Sequence, residues 1–117
     1  MGVKERIVFI DRAGLGGDDL PIPGFDHNWS EYPATEAIDL VPRLFWSTTA
    51  ITHATPIDAE AIGQLHKLIR IVVTGPAAVD ADACTARGIA VWYLPADGAS
   101  GLTLVALLET LVEESRD

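Results

Sequence analysis

Ile69-Arg70-Ile71-Val72-Val73-Thr74-Gly75-Pro76-Ala77-Ala78-Val79-Asp80 holds an apolar run, a glycine-proline turn and an acid placed to start a helix. The run is β-branched and broken only by Arg70, so it reads as a strand covered on both faces, as in a parallel sheet with helices on each side. Asp80 can cap a helix over Ala81 to Arg87, and Gly88 supplies the left-handed residue that ends it. Another strand, Ile89 to Leu94, follows at once. Strand, helix and strand in that order make the unit from which doubly wound α/β sheets are assembled.

Upstream the pattern repeats. Arg6 to Asp11, Asn28 to Tyr32 and Thr48 to His53 read as strands, each a short apolar or β-branched run bounded by polar punctuation. Thr35 is expected to cap a helix over Glu36 to Leu44, with Ile38, Leu40, Val41 and Leu44 mostly on one face and Pro42 kinking or shortening it. Thr55, with Pro56 after it and Asp58 three residues on, predicts a second helix start, running to about Leu65. Ser100 opens the last helix, where Leu104, Leu107, Leu108, Leu111 and Val112 give a broad apolar face ahead of a solvated tail, Glu113 to Asp117. The alternation implies right-handed crossovers and an α/β fold: a flavodoxin-like, doubly wound, five-stranded parallel sheet in order 2-1-3-4-5, flanked by helices. Ligands of such sheets collect beyond the carboxyl ends of the strands, here the loops after Asp11, His53, Thr74 and Leu94.

Composition narrows the function. The 117 residues suit one compact domain spanning 1–117, and no apolar run reaches the ~18 to 20 residues that cross a bilayer. The segment Met1 to Arg6 lacks a signal peptide's apolar core, so a cytoplasmic location is expected. A net charge of −9 repels phosphate backbones and argues against nucleic acid as a partner. Cys84 is the sole cysteine and sits among alanines, which reads as core filler; the histidine spacing gives no metal signature.

Two loops invite a ligand. Gly14-Leu15-Gly16-Gly17 follows the first strand, but a dinucleotide fingerprint needs a small third residue where Asp19 stands, and Asp18, Asp19, Pro21 and Pro23 oppose a phosphate cradle. A surface loop is the expected reading. Thr74-Gly75 joins a strand end to a capped helix, where free amides could hold an anion, although Pro76 removes one of them. Of the histidines, His53 falls at a strand's carboxyl end, where an imidazole could act as a general base. His27 is expected to pack or hydrogen-bond beside Trp29, and His66 to be structural.

The stretches Ile7 to Arg12, His27 to Thr35, Pro56 to Ile62, and Val79-Asp80 through Gly88 to Val91 together resemble the N-terminal segment of D-isomer-specific 2-hydroxyacid dehydrogenases, in the family's order and nearest its glycerate dehydrogenase branch. The resemblance implies a flavodoxin-like substrate domain, which in that family packs against an NAD-binding Rossmann domain. The family's glycine fingerprint and its catalytic arginine, glutamate and histidine lie beyond the matching segment. NAD is therefore expected only if a separate Rossmann domain partners the chain, and no cofactor otherwise. Where relatives often carry asparagine and lysine, this chain has His53 and Ala54; Pro76, Ala77 and Ala78 replace usual polar positions, and Trp92-Tyr93 and Asp97-Gly98 stand where other residues are usual.

The expected function is a stand-alone relative of the substrate domain that binds a small, carboxylate-like molecule or a protein partner without redox chemistry. Thr74, Gly75 and Asp97 are the candidate binding residues. Two alternatives stand beside it: a non-redox enzyme using His53, Thr74 and Asp97, or the substrate half of a dehydrogenase whose NAD domain is elsewhere. The family's counterpart of the last helix is covered by the second domain, so Leu104, Leu108 and Leu111, with Trp46, are expected to form the interface of a homodimer or with a partner chain.

Overall fold

The computed structural model describes residues 5–15, 20–94 and 101–114. Five strands, β1 (Glu5–Phe9), β2 (His27–Glu31), β3 (Thr49–Thr52), β4 (Arg70–Val73) and β5 (Ala90–Tyr93), form one sheet in the order β2-β1-β3-β4-β5. Every neighbouring pair is parallel, with Ile7 opposite Thr49, Ile51 opposite Val72, and Val72 opposite Trp92. The helices are α1 (Ala37–Leu44), α2 (Ala59–Gln64), α3 (Ala81–Arg87) and α4 (Gly101–Glu114). A short 3-10 turn spans Arg12–Leu15.

The two-residue period of the strands sorts their side chains into two cores. Val8, Ile10, Ala50, Ile71 and Val73 meet Leu40 and Leu44 of α1, Ala61 and Ile62 of α2, and Cys84 of α3. Ile7, Phe9, Ile51 and Val72 point the other way, onto Leu104, Leu108 and Leu111 of α4. This corrects the expectation that those three leucines form an interface. They are 0%, 0% and 5% exposed. The opposite face of β1, β3 and β4 needs an apolar cover, and α4 folds back to supply it, while its Glu109 accepts a 2.8 Å hydrogen bond from the Gly24 amide. What α4 turns outward is mainly Thr103, Ala106, Glu109, Thr110 and Glu113.

Local signals held in part. Asp80 accepts from the Ala83 amide, and Gly88 closes α3 at φ 74°, a conformation that suits glycine. Two expected caps differ. Thr35 donates its hydroxyl to the Ile10 carbonyl, and Glu36 stands at the N-cap of α1 without a side-chain bond. Thr55 lies outside α2, which begins at Ala59 with Asp58 accepting from the Ala61 amide. Ile57 instead forms an isolated parallel bridge to Val79, which ties the segment before α2 to the segment before α3. Pro42 sits inside α1, which continues for two more residues. The expected start of α4 at Ser100 lies outside the described residues. No helix among the described residues is long and apolar enough to cross a membrane.

Cys84 is 1% exposed, and burial, with the Asp80 carboxylate adding to it, pushes its thiol pKa up. The thiol should resist a disulfide-exchange reagent in the native protein and react in urea. Because its folded pKa lies above the unfolded one, its contribution to stability is complete below the ordinary thiol range near ~8.5 and fades as pH rises toward the folded value. Urea midpoints should therefore fall at alkaline pH, and Cys84→Ala should lack that part of the fall.

Candidate functional site

In order β2-β1-β3-β4-β5 the chain winds away from β1 in both directions, which leaves a crevice beyond the carboxyl ends of β1 and β3. Asp11 organises it. This residue follows the apolar run of β1, is 7% exposed, and must find donors there or lose its hydration uncompensated. It finds four. Its Oδ1 accepts from the His53 amide at 2.6 Å, and its Oδ2 from the Ala54 amide at 2.7 Å, the Thr55 amide at 3.0 Å and the Thr55 hydroxyl at 2.9 Å. The loop after β3 is thereby folded around a carboxylate from the neighbouring strand.

That clamp delivers His53 between two glycines. A Cβ built on Gly14 would lie 2.6 Å from the imidazole, and one on Gly75 would lie 2.5 Å from it. Only backbone fits on either side of the ring. Nδ1 pairs at 3.0 Å with the hydroxyl of Thr74, a residue itself 1% exposed. His53, Thr74 and Gly75, singled out in the sequence, are thus brought together at the ends of β3 and β4. Asp97 lies outside the described residues. Gly14, read as part of a surface loop, proves to be a wall of the site in the 3-10 turn.

Most of the group's polar atoms are already committed within the site. Asp11 spends its carboxylate on backbone and hydroxyl donors of the loop and touches the amide of His53, not its ring. The Thr74 oxygen is too buried to meet an external electrophile. In the loop after β4, the Thr74 amide donates to Thr52 and the Ala77 amide to His53, while the Gly75 amide has no hydrogen-bond partner among the described residues. This donor lies in the segment that walls one side of the imidazole.

A cleft of about 700 Å³ opens nearby, between α1 and α2, walled by Asp11, Thr35, Val41, Ala54, Thr55 and Asp58. His53 does not line it. Trp46 lies apart from both, 59% exposed just beyond α1, edge-on to Phe45 and 5.7 Å from the Lys67 ammonium. His27 Nδ1 donates to the Phe25 carbonyl at 2.8 Å, and its ring stands edge-on to Trp29. Among the described residues no three metal-ligating side chains converge.

The starts of α1, α2 and α3 bear on nucleotide binding, because a pyrophosphate needs free amides at a helix N-terminus. Each carries an acid at its N-cap, Glu36, Asp58 and Asp80, and two of these already accept the amides a phosphate would use. The turn after β1 leads into a 3-10 turn with His53 filling the space at Gly14. These residues do not fit a dinucleotide.

A parallel α/β domain with its polar site at the strand ends is the class the geometry defines, and comparison with known proteins narrows it. No family model matches the chain. Over 89 residues it is 37% identical to an inferred 2-hydroxyacid dehydrogenase of Haemophilus influenzae, a match covering 74% of this chain and 28% of that protein. Its fold is that of part of the NAD+-bound 3-phosphoglycerate dehydrogenase of Entamoeba histolytica, with TM-score 0.60, 21% identity, and 80% of this chain against 33% of that one. An acyclic imino acid reductase in complex with NADPH and D-arginine shares it at TM-score 0.57 and 19% identity, over 77% of this chain and 31% of that one. The chain is thus similar to a part of a 2-hydroxyacid dehydrogenase and spans less than a third of that curated relative's length.

Proposed function

We propose that this chain binds a small carboxylate-bearing molecule at the carboxyl ends of β3 and β4, and that it carries out no redox chemistry by itself. The observation that carries this reading is the grip of Gly14 and Gly75 on the His53 ring, which sets an imidazole beside the uncommitted Gly75 amide. One neutral donor and one titratable ring can hold a carboxylate without transforming it. The acid-capped helix starts support the absence of a dinucleotide site on the described residues.

The test is a titration of the protein with short 2-hydroxy and 2-oxo acids, followed by amide and histidine-ring NMR signals, beside a parallel titration with NADH. The expected result is that an acid shifts the Gly75 amide and the His53 ring while NADH shifts nothing. Gly75→Ala should drive the ring off Thr74 and weaken acid binding roughly tenfold or more, since a displaced donor forfeits a charge-assisted hydrogen bond of about 1.5 to 3 kcal/mol. Gly75→Ala with His53→Ala restores the space and should recover folding stability without recovering affinity. Saturating NADH shifts at the strand ends, or no response to any acid, would defeat the proposal.

The partial coverage of the relatives favours a second reading, in which the same crevice forms one wall of a dehydrogenase site completed by a nucleotide-binding domain. Hydride transfer would then depend on that domain to hold the nicotinamide. Adding a Rossmann domain from such a dehydrogenase and observing NADH oxidation with a 2-oxo acid would favour it over simple binding.

A further inference from the structure

The outer face of α1 is apolar where a surface helix should be polar. Ile38 is 81% exposed, Trp46 59% and Phe45 39%, and Pro42 is exposed between them. Helical geometry puts positions 38, 42 and 45 on one line, with Trp46 at its end. Leu40 and Leu44 meanwhile fill the core from the opposite side. The helix therefore carries two apolar faces, and its charged residues are confined to a strip holding Asp39 and Arg43, whose side chains approach to 3.9 Å.

We infer that this stripe is the contact surface for a second copy of the chain, with α1 packed antiparallel on its twin about a twofold axis near Val41 and Pro42. The two halves of the stripe complement each other about that axis. It brings Ile38 of one copy against Phe45 and Trp46 of the other, because 38 and 45 lie equally far from the centre. The same operation brings Asp39 beside Arg43 of the twin and Arg43 beside its Asp39, about one residue's rise out of level, so charge and apolar surface are satisfied by a single symmetry. Arg43 is held in place for this role. Its guanidinium lies 4.1 Å over the Tyr32 ring and donates to the Ala34 carbonyl and the Thr35 hydroxyl, so little side-chain freedom remains to be lost. The other exposed apolar group, Ile69, Trp92 and Tyr93 beside β5, has no such charged pair within its strand to set a register.

A helix of eight residues buries less than a standard interface, so the dimer should be reversible and weak, forming between about 5 and 500 µM. Sedimentation velocity across that range tests it. The native chain should shift from monomer to dimer mass, and Ile38→Asp should weaken association at least tenfold without lowering the melting temperature, because the side chain it replaces is already in water. Asp39→Arg should weaken association as well, by placing like charges opposite each other. Trp92→Asp should leave it unchanged. A chain that stays monomeric throughout, or a dimer indifferent to Ile38→Asp, would overturn the inference. So would a dimer broken by Trp92→Asp alone, which would put the contact at β5.

Discussion

Glu5→Ala should lower folding stability by about 3 kcal/mol, more than its place at the first described residue of a strand suggests. The reason is Arg70. This guanidinium interrupts the apolar run of β4 with its side chain only 4% exposed, and its Nη1 donates to Glu5 Oε1 at 2.7 Å and to the Thr49 hydroxyl at 2.8 Å. Glu5 also accepts from the Thr48 hydroxyl at 2.9 Å. Three chain segments are tied at the amino ends of β1, β3 and β4. Removing the carboxylate takes from a buried cation its 2.7 Å ion-pair partner, a loss worth far more than a surface ion pair of about 0.2 to 1 kcal/mol. Urea unfolding should show the midpoint falling with an unchanged slope, and a drop within 1 kcal/mol would contradict the account. The matched experiment is the double replacement Glu5→Leu with Arg70→Met. An apolar pair of similar volume needs no desolvation, so it should recover most of the native stability.

That buried pair also shows what a single sequence reveals and where it stops. β1, β3, β4 and β5 are legible as apolar or β-branched runs, whereas β2 has no such run; two-sided apolarity in β4 implied the parallel sheet, and the alternation of strands with helices implied its order. Arg70 was visible only as an interruption, since its partner lies 65 positions away and only the sheet brings them together. The last helix was misjudged for a related reason. Its leucines mark an apolar face but not what covers it, and a sheet with two apolar faces has as strong a claim on that face as any partner. Thr35 and Thr55 looked like caps from their neighbours in sequence. Their hydroxyls serve distant groups instead, the Ile10 carbonyl and the Asp11 carboxylate. At the site, His53, Thr74 and Gly75 could be read because they sit at strand ends, whereas Asp11 and Gly14 could not, their work being to hold another loop. An acid closing the apolar run Ile7 to Ile10 was the available signal.

Asp11 therefore gives the sharpest separation between fold and site. Asp11→Ala deprives three amides and a hydroxyl of their acceptor at once, and such bonds to a charged group are worth roughly 1.5 to 3 kcal/mol each. Asp11 borders the cleft, so water can reach part of the vacated space, and the net loss should be about 3 to 4 kcal/mol rather than the full sum. Asp11→Asn keeps the shape. Its amide oxygen can face the three donors now on Oδ2, leaving its NH2 group against the His53 amide alone, so the loss should be about 1 to 2 kcal/mol. The defect in Asp11→Asn is then local to His53, the one donor that is not satisfied. Histidine-ring NMR should show the bond to Thr74 disturbed in both variants, while hydrogen exchange of the Ala54 and Thr55 amides should accelerate strongly only in Asp11→Ala. If the two variants lose equal stability, the charge of Asp11 matters more than its geometry, and the clamp on the loop after β3 is held by electrostatic attraction instead of by the count of its hydrogen bonds.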